Sequence, residues 1–408
     1  MPAPDQPFQF IDPFIVKDRD TAERDLLPQI FGMVVLNRET RRYETLLGRS
    51  DDLSYRGFIT DADLINQYDG WVNDAYAGSA PNVYHTIEAA RAAGRESIMV
   101  QLSGDESPVT FLSTDAISRL QGIDADTTVV PVSITINKDN VTVEQVGLSS
   151  KTLTLAGIGD TAEDLFITGT GKISVAGSDT VVRGVRGDVL TATPISIQNL
   201  GIRNTIADLR ILNNSGASDI LADLATGEVI SDLAIRGYVG STATADYSLK
   251  IALAGTATHS RFSLSDFFFR NNQGGGDIAG IDMHIGPGYV SGAGLATGRS
   301  GLRLQSTAGS DINSLVFGVS FRGAAGKSLL AYVGADADGA GLILSHLHLL
   351  GGGTAFLGQD THLYNTYADA TVTVDVQSKT GVRIMGGAIT TLSNILAGTF
   401  VWGVAGQN

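Results

Sequence analysis

The sequence predicts an all-β protein whose short strands stack as successive coils of a parallel β-helix. An apolar motif spaced i, i+3, i+5 occurs as Ile206-Ala-Asp-Leu209-Arg-Ile211 and again, 24 positions later, as Ile230-Ser-Asp-Leu233-Ala-Ile235. Glycine is abundant, with 49 residues, and aromatic residues make up only 7% of the chain. Many short aliphatic strands joined by glycine corners are typical of a solenoid.

Weaker copies of the motif continue the pattern along the chain, as expected for stacked repeats. Between residues 127 and 214, short strands of alternating apolar and polar residues follow one another closely, separated by Gly, Asp or Asn. The weaker copies are His259-Ser-Arg-Phe262-Ser-Leu264, Ile278-Ala-Gly-Ile281-Asp-Met283, Ile312-Asn-Ser-Leu315-Val-Phe317 and Leu344-Ser-His-Leu347-His-Leu349.

Residues 1–75 are predicted to form a separate small module. Its first 28 residues contain half of all the prolines, which is typical of an extended arm: Pro2, Pro4, Pro7, Pro13 and Pro28. After the arm, two β-prone segments, 32–36 and 42–47, flank residues 37–40 and predict a β-hairpin.

Residues 76–103 carry the most specific local signal. Thr86-Ile-Glu-Ala-Ala-Arg-Ala-Ala-Gly94 predicts a short helix with Thr86 as N-cap and Gly94 after its C-terminus. The strand Ser97-Ile-Met-Val-Gln-Leu102 follows at once. We expect this helix to cover the open end of the coil stack, where apolar side chains and unpaired backbone would otherwise be exposed.

Two later segments are interpreted differently from the repeat. Residues 271–301 contain ten glycines and predict either a long loop or widened coil that leaves the side of the stack, or a flexible glycine spacer. Residues 386–408, with Phe400, Val401 and Trp402 near the end, predict a C-terminal cap or a contact between subunits. The β-helix itself is therefore placed at residues 76–385.

Composition excludes several classes of partner. The net charge is −15 and no basic stripe is present, which argues against nucleic-acid binding and against anionic membranes. No segment approaches the length of a spanning helix, so no membrane insertion is expected. There is no cysteine, and the N-terminus has no secretory signal pattern, so synthesis in a cytoplasm is predicted.

The helix and the strand after it resemble the start of pectate-lyase-like right-handed parallel β-helices. In that family a TI-x-x-A sequence lies on the helix and I-x-V opens the first coil, and the matching residues here are Thr86, Ile87, Ala90, Ile98 and Val100. The layout is similar to that of bacteriophage tailspikes and tail fibres. The resemblance implies a right-handed coil, a homotrimer, attachment to other tail or head proteins through residues 1–75, and binding of host surface polysaccharide.

Asp208 and Asp232 are candidate catalytic residues because both occupy the third position of the motif. A coil of 24 residues would place Leu209 beside Leu233 and the two Asp Cα atoms about 4.8 Å apart. Two carboxyl groups at about 5–5.5 Å have the spacing found in a retaining glycosidase, and repulsion between like charges would raise one pKa to give an acid and a base. Arg210, predicted on the same outer face, favours the alternative that Asp208 is simply neutralised.

A second group of candidates lies in the glycine-rich segment. Asp277, Asp282, His284, Tyr289 and Arg299 are predicted to form a ligand-binding patch, since these side chains are suited to sugars. Asp277 and Asp282 are also a weaker alternative acid–base pair. These four aspartates are candidates only, and no residue is assigned as catalytic.

No metal site and no cofactor are predicted. Asp336-Ala-Asp338-Gly339 resembles the opening of a calcium loop but lacks the third oxygen ligand and the closing glutamate. His346 and His348 alternate with Leu347 and Leu349, so both imidazoles are expected to point outward. A polar outer face explains them more simply than a metal site.

Three functions remain open on the sequence alone. The preferred one is a virion structural protein that binds host polysaccharide without catalysis. A polysaccharide depolymerase on the same scaffold is the first alternative. A head-attached fibre or a bacterial surface adhesin is the second, because a fold alone does not define a function.

Overall fold

The computed structural model describes four short strands within residues 16–59 and most of residues 69–405. Within the second range, residues 77–80, 199–201, 216–217, 243–245, 271–272, 293–294, 307–310, 334–340 and 397–398 are not described. The five N-terminal prolines and the calcium-like segment 336–339 therefore lie outside the described residues. The chain divides into two units, residues 1–71 with 77–83, and residues 72–76 with 84–408.

The first unit contains a four-stranded sheet. Val34–Asn37 and Arg42–Leu46 pair antiparallel, which confirms the predicted hairpin. Val16–Arg19 lies parallel to the first hairpin strand, and Phe58–Ile59 lies antiparallel to the second.

A helix and short strands precede the coils of the second unit. The helix spans Ile87–Ala92, and Thr86 caps it by accepting a hydrogen bond from the Ala89 backbone N–H at 3.0 Å, as predicted. Ile87 and Ala90 of the helix are buried in the main apolar core. The strands here are Gly70–Asn73, Val83–Tyr84 and Ser97–Leu102. Among the described residues, no helix is long and apolar enough to cross a membrane.

The rest of the second unit is a parallel β-helix, which confirms the predicted fold class. Each coil contributes a strand to sheet A, then to sheet B, then to sheet C, and each strand pairs in parallel with its counterpart on the next coil. Sheet A contains Val109–Phe111, Ile134–Ile136, Thr152–Leu155, Lys172–Val175, Ile195–Ile197, Ile220–Leu224, Tyr247–Leu253, Gly274–Ala279, Ser300–Gln305, Ser328–Val333 and Gly353–Phe356.

Sheets B and C complete the wall of the coil. Sheet B contains Arg119–Gly122, Thr142–Glu144, Thr161–Glu163, Val181–Arg183, Thr205–Ala207, Ala234–Arg236, Thr258–Ser265, Ile281–Ile285, Leu315–Phe317, Ile343–Ser345 and Phe400–Trp402. The short strand Val229–Ser231 lies just before sheet B and pairs with the first residues of Thr258–Ser265. Sheet C contains Gly147–Ser149, Phe166–Gly169, Arg186–Leu190, Arg210–Ile211, Phe267–Phe269, Gly288–Ser291, Val319–Arg322 and His348–Leu350. Two long strands, His362–Asp375 and Arg383–Ser393, run through all three sheets, so the coil pairing continues past residue 385.

Aliphatic side chains stack inside the coils in continuous columns. Each added aliphatic residue of this size contributes about 1.5–3 kcal/mol when it is fully buried. The inner column of sheet B joins thirteen paired residues: Leu120, Val143, Ala162, Val182, Ile206, Ile235, Leu264, Ile285, Val316, Leu344, Leu363, Ile384 and Val401.

Two corners flank sheet B, and both need a left-handed backbone. The first corner, between sheets A and B, has positive φ on successive coils at Asn140, Gly159, Asp179, Arg203, Asp232, Arg261, Asp282, Asn313, Gly341, Asp360 and Gly381. The second corner, between sheets B and C, has positive φ at Gln145, Asp164, Gly184, Asp208, Gly237, Asp266, Gly318, His346, Asn365, Gly386 and Gly403. Asp, Asn and Gly adopt this conformation at the lowest cost, which explains their recurrence.

The coil register differs from the predicted one where the motif is strongest. Ile206 pairs with Ile235, so this coil has 29 residues and not 24. Leu209 is level with Tyr238, since Arg210 bridges to Val239, and the predicted position of Leu209 beside Leu233 is wrong. The error has a physical cause: Asp208 and Asp232 are both left-handed corner residues followed by a buried leucine, but Asp208 lies at the second corner and Asp232 at the first, so the same motif marks either one.

The glycine-rich segment is not a loop, and that prediction is wrong. Gly274–Ala279 is a fully buried strand of sheet A. The glycines lie against aromatic rings and backbone: a Cβ at Gly274 would be 2.8 Å from Tyr247 Cδ1, and one at Gly275 would be 1.9 Å from the Gly301 carbonyl oxygen. Glycine is needed here because a side chain would not fit.

We predict that Gly237→Ala lowers the free energy of unfolding by more than the left-handed backbone alone explains. Gly237 has φ +63°, and its Cβ would lie 2.7 Å from Asp208 Oδ1 on the coil before. The control is Gly227→Ala, where φ is +85° and the space is open. Denaturant titration should show that the free energy of unfolding falls by about 1 kcal/mol in the control and by about 2 kcal/mol or more in Gly237→Ala. Equal losses would contradict the stacking of Asp208 over Gly237.

Candidate functional site

The two candidate catalytic aspartates do not face each other. Asp208 lies at the second corner, where Gly237 is its neighbour on the next coil, and Asp232 lies at the first corner. The predicted acid–base pair depended on the 24-residue register, so the structure does not form it.

Asp232 belongs instead to a ladder of alternating charge along the first corner. Arg203 donates to Asp179 at 2.6 and 2.7 Å, and Arg261 donates to Asp232 at 2.5 and 2.7 Å. These hydrogen bonds lower the pKa of Asp179 and of Asp232 below its usual value. A carboxylate held ionised by a guanidinium in this way is suited to structure rather than to general acid catalysis.

Asp277 is held in a second, less exposed ion pair on sheet A. Its side chain is 3% exposed and accepts hydrogen bonds from Arg303 Nε and Gln305 Nε2, both at 2.7 Å. Arg303 also lies 5.0 Å from the centroid of the Tyr247 ring, and Arg299 lies 5.9 Å from it. Hydrogen bonding to Asp277 raises the pKa of Arg303. Asp277 and Arg299 are thus in the same neighbourhood.

The other residues of the predicted ligand patch lie elsewhere on the coil. Asp282 is at the first corner, with φ +53°. His284 is exposed on the outer face of sheet B, and Tyr289 lies on the outer face of sheet C. The five residues are therefore divided among the walls of the coil, and His284 and Tyr289 belong to a different surface.

That surface, the histidine–aromatic face, covers the outer sides of sheets B and C in the C-terminal half. It consists of Phe268, His284, Tyr289, Phe317, His346, His348, His362, Tyr364, Tyr367 and Arg383. On sheet B, the coil register places residues of the face in two outer columns, one through His284, Leu315, Ile343, His362 and Arg383, the other through Phe317, Ser345, Tyr364 and Met385. Phe317 and Tyr367 are 42% and 48% exposed, so ring surface is available to a partner.

The rings of this face are packed in pairs. Phe268 and Tyr289 lie on adjacent coils with ring centroids 5.1 Å apart. His348 and Tyr367, also on adjacent coils, are 6.5 Å apart, and edge-to-face geometry is favourable at these distances. The remaining ring pairs are Phe317 with His346 at 5.4 Å and His362 with Tyr364 at 6.1 Å. The rings hold one another in a pre-organised surface.

His346 and His348 both point outward, as predicted, with Leu347 and Leu349 in the core. They do not share one strand, since His346 is the corner residue, with φ +52°. In the part of the chain that the structure describes, no group of three or more His, Asp or Glu residues is placed to hold a metal ion.

Most of the face was not predicted from the sequence. His362, Tyr364 and Tyr367 are distant from Phe317 in the chain and become neighbours only through the coil register. One signal was available: outer positions of the predicted C-terminal strands are occupied by rings, as in His362-Leu-Tyr364, while the inner ones are aliphatic. Placing several such strands side by side requires the number of residues in each coil, which cannot be read from the sequence.

No family model and no curated protein matches the chain. A solved structure with a similar fold is the crystal structure of the Dettilon tailspike protein, at 13% sequence identity and a TM-score of 0.28. The alignment covers 81% of this chain and 66% of that chain, slightly less than two thirds of its length. At this identity and TM-score, the similarity carries no argument about function.

The two kinds of ion pair should differ in their effect on stability. We predict that Arg303→Gln lowers the free energy of unfolding by about 2 kcal/mol, because it leaves the Asp277 charge buried without its main partner. Arg261→Gln removes an exposed partner of Asp232 and should cost less than about 1 kcal/mol. Chemical denaturation of both variants measures the difference, and a cost for Arg261→Gln as large as for Arg303→Gln would contradict the assignment of burial.

Proposed function

We propose that this protein is a virion component of the tailspike or tail-fibre type that binds host surface polysaccharide without cleaving it. The observation that carries the proposal is the histidine–aromatic face, a group of exposed and half-buried rings on the outer sides of adjacent coils of a parallel β-helix. Binding residues are often displayed on rigid scaffolds that hold them in position without a large entropic cost.

The chemistry of the face suits sugars. Aromatic rings present a flat apolar surface to the C–H faces of a pyranose, while Tyr hydroxyls and imidazoles donate or accept hydrogen bonds from sugar hydroxyls. The face runs along the coil axis through several coils, at about 4.8 Å per coil. A polymer of several sugar units is therefore a better match than a small compact ligand.

Binding without catalysis is favoured by the state of the candidate carboxylates. Asp232 is paired with Arg261, and Asp277 with Arg303 and Gln305. Asp208 lies over Gly237 at the second corner. Each of these side chains has a structural role in the coil, and none lies on the histidine–aromatic face.

The remaining parts of the proposal concern assembly. The unit formed by the N-terminal residues is proposed to attach the protein to other virion proteins, and the chain is proposed to form a homotrimer. Near the C-terminus, an exposed apolar tip is suited to subunit contact and contains Ile395, Leu396, Phe400 and Trp402, which are 40% to 68% exposed. Light scattering tests the trimer: a mass of three chains supports it, and a mass of one chain rejects it.

Polysaccharide binding and cleavage are tested together. The full chain is incubated with a panel of bacterial capsules and lipopolysaccharides, and both retention and new reducing ends are measured. We predict retention by at least one polymer with no new reducing ends. Phe317→Ala and Tyr367→Ala should each weaken binding about tenfold, equivalent to about 1.4 kcal/mol.

The matched control is Ile158→Ala, which truncates an apolar side chain that is 55% exposed outside the face. It should leave binding unchanged. Release of new reducing ends would show that the protein cleaves the polysaccharide and is a depolymerase. Equal losses of binding affinity in all three variants would show that the histidine–aromatic face is not the binding surface.

A further inference from the structure

We propose that the polysaccharide bound by the histidine–aromatic face is acidic, carrying carboxylate groups such as those of uronic acids. This inference rests on the proposed function and adds the chemical class of the ligand. It derives from the charge of the face relative to the rest of the chain.

From residue 263 onward, the outer positions of sheet B that lie between the two corners contain no carboxylate, although the chain as a whole has 43 acidic residues and a net charge of −15. The exposed Asp282 belongs to the first corner. The ionic or imidazole side chains in these positions are His284, His362 and Arg383, and all three lie in one column. The full set of positions is Ser263, Ser265, His284, Gly286, Leu315, Phe317, Ile343, Ser345, His362, Tyr364, Arg383, Met385, Phe400 and Trp402.

The neighbouring column on sheet C shows the same bias. Register places its outer residues in the order Phe268, Tyr289, Ser320, His348, Tyr367 and Ala388, again with no carboxylate. His346 lies at the corner between the two sheets. A ligand along this surface would therefore meet imidazole groups on both sides of the corner and the Arg383 guanidinium on the sheet B side.

The first coils of the same sheet are built differently. There, Arg119 is paired with Glu144, and Arg183 donates to Glu163 at 2.5 Å, so each of these cations on the outer face is neutralised by a carboxylate on an adjacent coil. In the described part of the chain, Arg383 has no such ion pair. Its guanidinium remains available to an anion that is brought from outside.

The guanidinium and the aromatic rings would bind different groups of an acidic sugar. Arg binds carboxylate groups with paired, charge-assisted hydrogen bonds, and imidazole can donate one as well. The face of an aromatic ring is negative, so it repels a carboxylate but accepts sugar C–H groups. A polymer whose sugar units carry both apolar C–H faces and carboxylate groups would therefore match the rings and the Arg and His side chains of this face.

A second copy of this chain is the competing occupant. The core of an interface between identical subunits is usually more apolar and depleted in charge. The face instead mixes rings with His, Ser, Tyr and Arg. The exposed apolar tip formed by Ile395, Leu396, Phe400 and Trp402 is better suited to that role, so we assign the face to the glycan.

The test measures binding of the full chain to polygalacturonate, hyaluronate and polysialate, each compared with its carboxyl-esterified derivative and with neutral dextran. We expect at least one acidic polymer to bind at least tenfold more tightly than its ester. The affinity should fall as salt rises from 50 to 500 mM, because salt screens the attraction. Arg383→Gln should weaken acidic binding about tenfold, and the control Arg236→Gln, an exposed residue of sheet B outside the face, should not.

The outcomes separate the two proposals. Equal binding of an acidic polymer and its ester, or no loss in Arg383→Gln, overturns the acidic class while the polysaccharide function stands. Binding of none of these polymers overturns it as well, and the capsule and lipopolysaccharide panel then decides the general function. A change in the mass of Arg383→Gln by light scattering, without any glycan effect, assigns the face to a second copy and overturns the inference.

Discussion

The structure depends on the stacking of left-handed corner residues from coil to coil. Where one coil has Asp or Asn at a corner, the next often has Gly, as with Asp208 and Gly237, because the polar side chain occupies the space a Cβ would need. At the first corner, some successive side chains carry opposite charges and form ion pairs, as with Asp232 and Arg261. The corners therefore fix the register even though coil length varies from 17 residues between Ile384 and Val401 to 31 between Ile285 and Val316.

This register is what creates the histidine–aromatic face. Paired strands on adjacent coils lie about 4.8 Å apart, so residues far apart in the chain become direct neighbours. Phe268 and Tyr289 reach a ring separation of 5.1 Å in this way, and His348 reaches Tyr367. The aliphatic columns inside the coils supply the stability, and the outer positions are free to vary: ion pairs fill them in the first coils and rings in the later ones.

The fold was predictable from the sequence because its signals are local. Alternation within strands, the Thr86 N-cap and the hairpin around residues 37–40 each depend on a few adjacent residues. The register was not predictable, since one apolar motif serves both corners, and Asp208 and Asp232 were wrongly paired for that reason. The buried glycines at 274–276 were misinterpreted as a loop because the bulky partner Tyr247 lies on another coil. The histidine–aromatic face contains residues from many coils, so it could not be predicted from the sequence without the register.

The coil register is tested most directly by cysteine cross-linking, since the native chain contains no cysteine. The structure pairs Thr205 with Ala234 on the outer side of sheet B, at a distance that a disulfide can bridge. A 24-residue coil would instead pair Thr205 with Val229. We predict rapid oxidation to an intramolecular disulfide in the Thr205→Cys, Ala234→Cys variant and none in the Thr205→Cys, Val229→Cys variant. The reverse result would contradict the register, and with it the histidine–aromatic face.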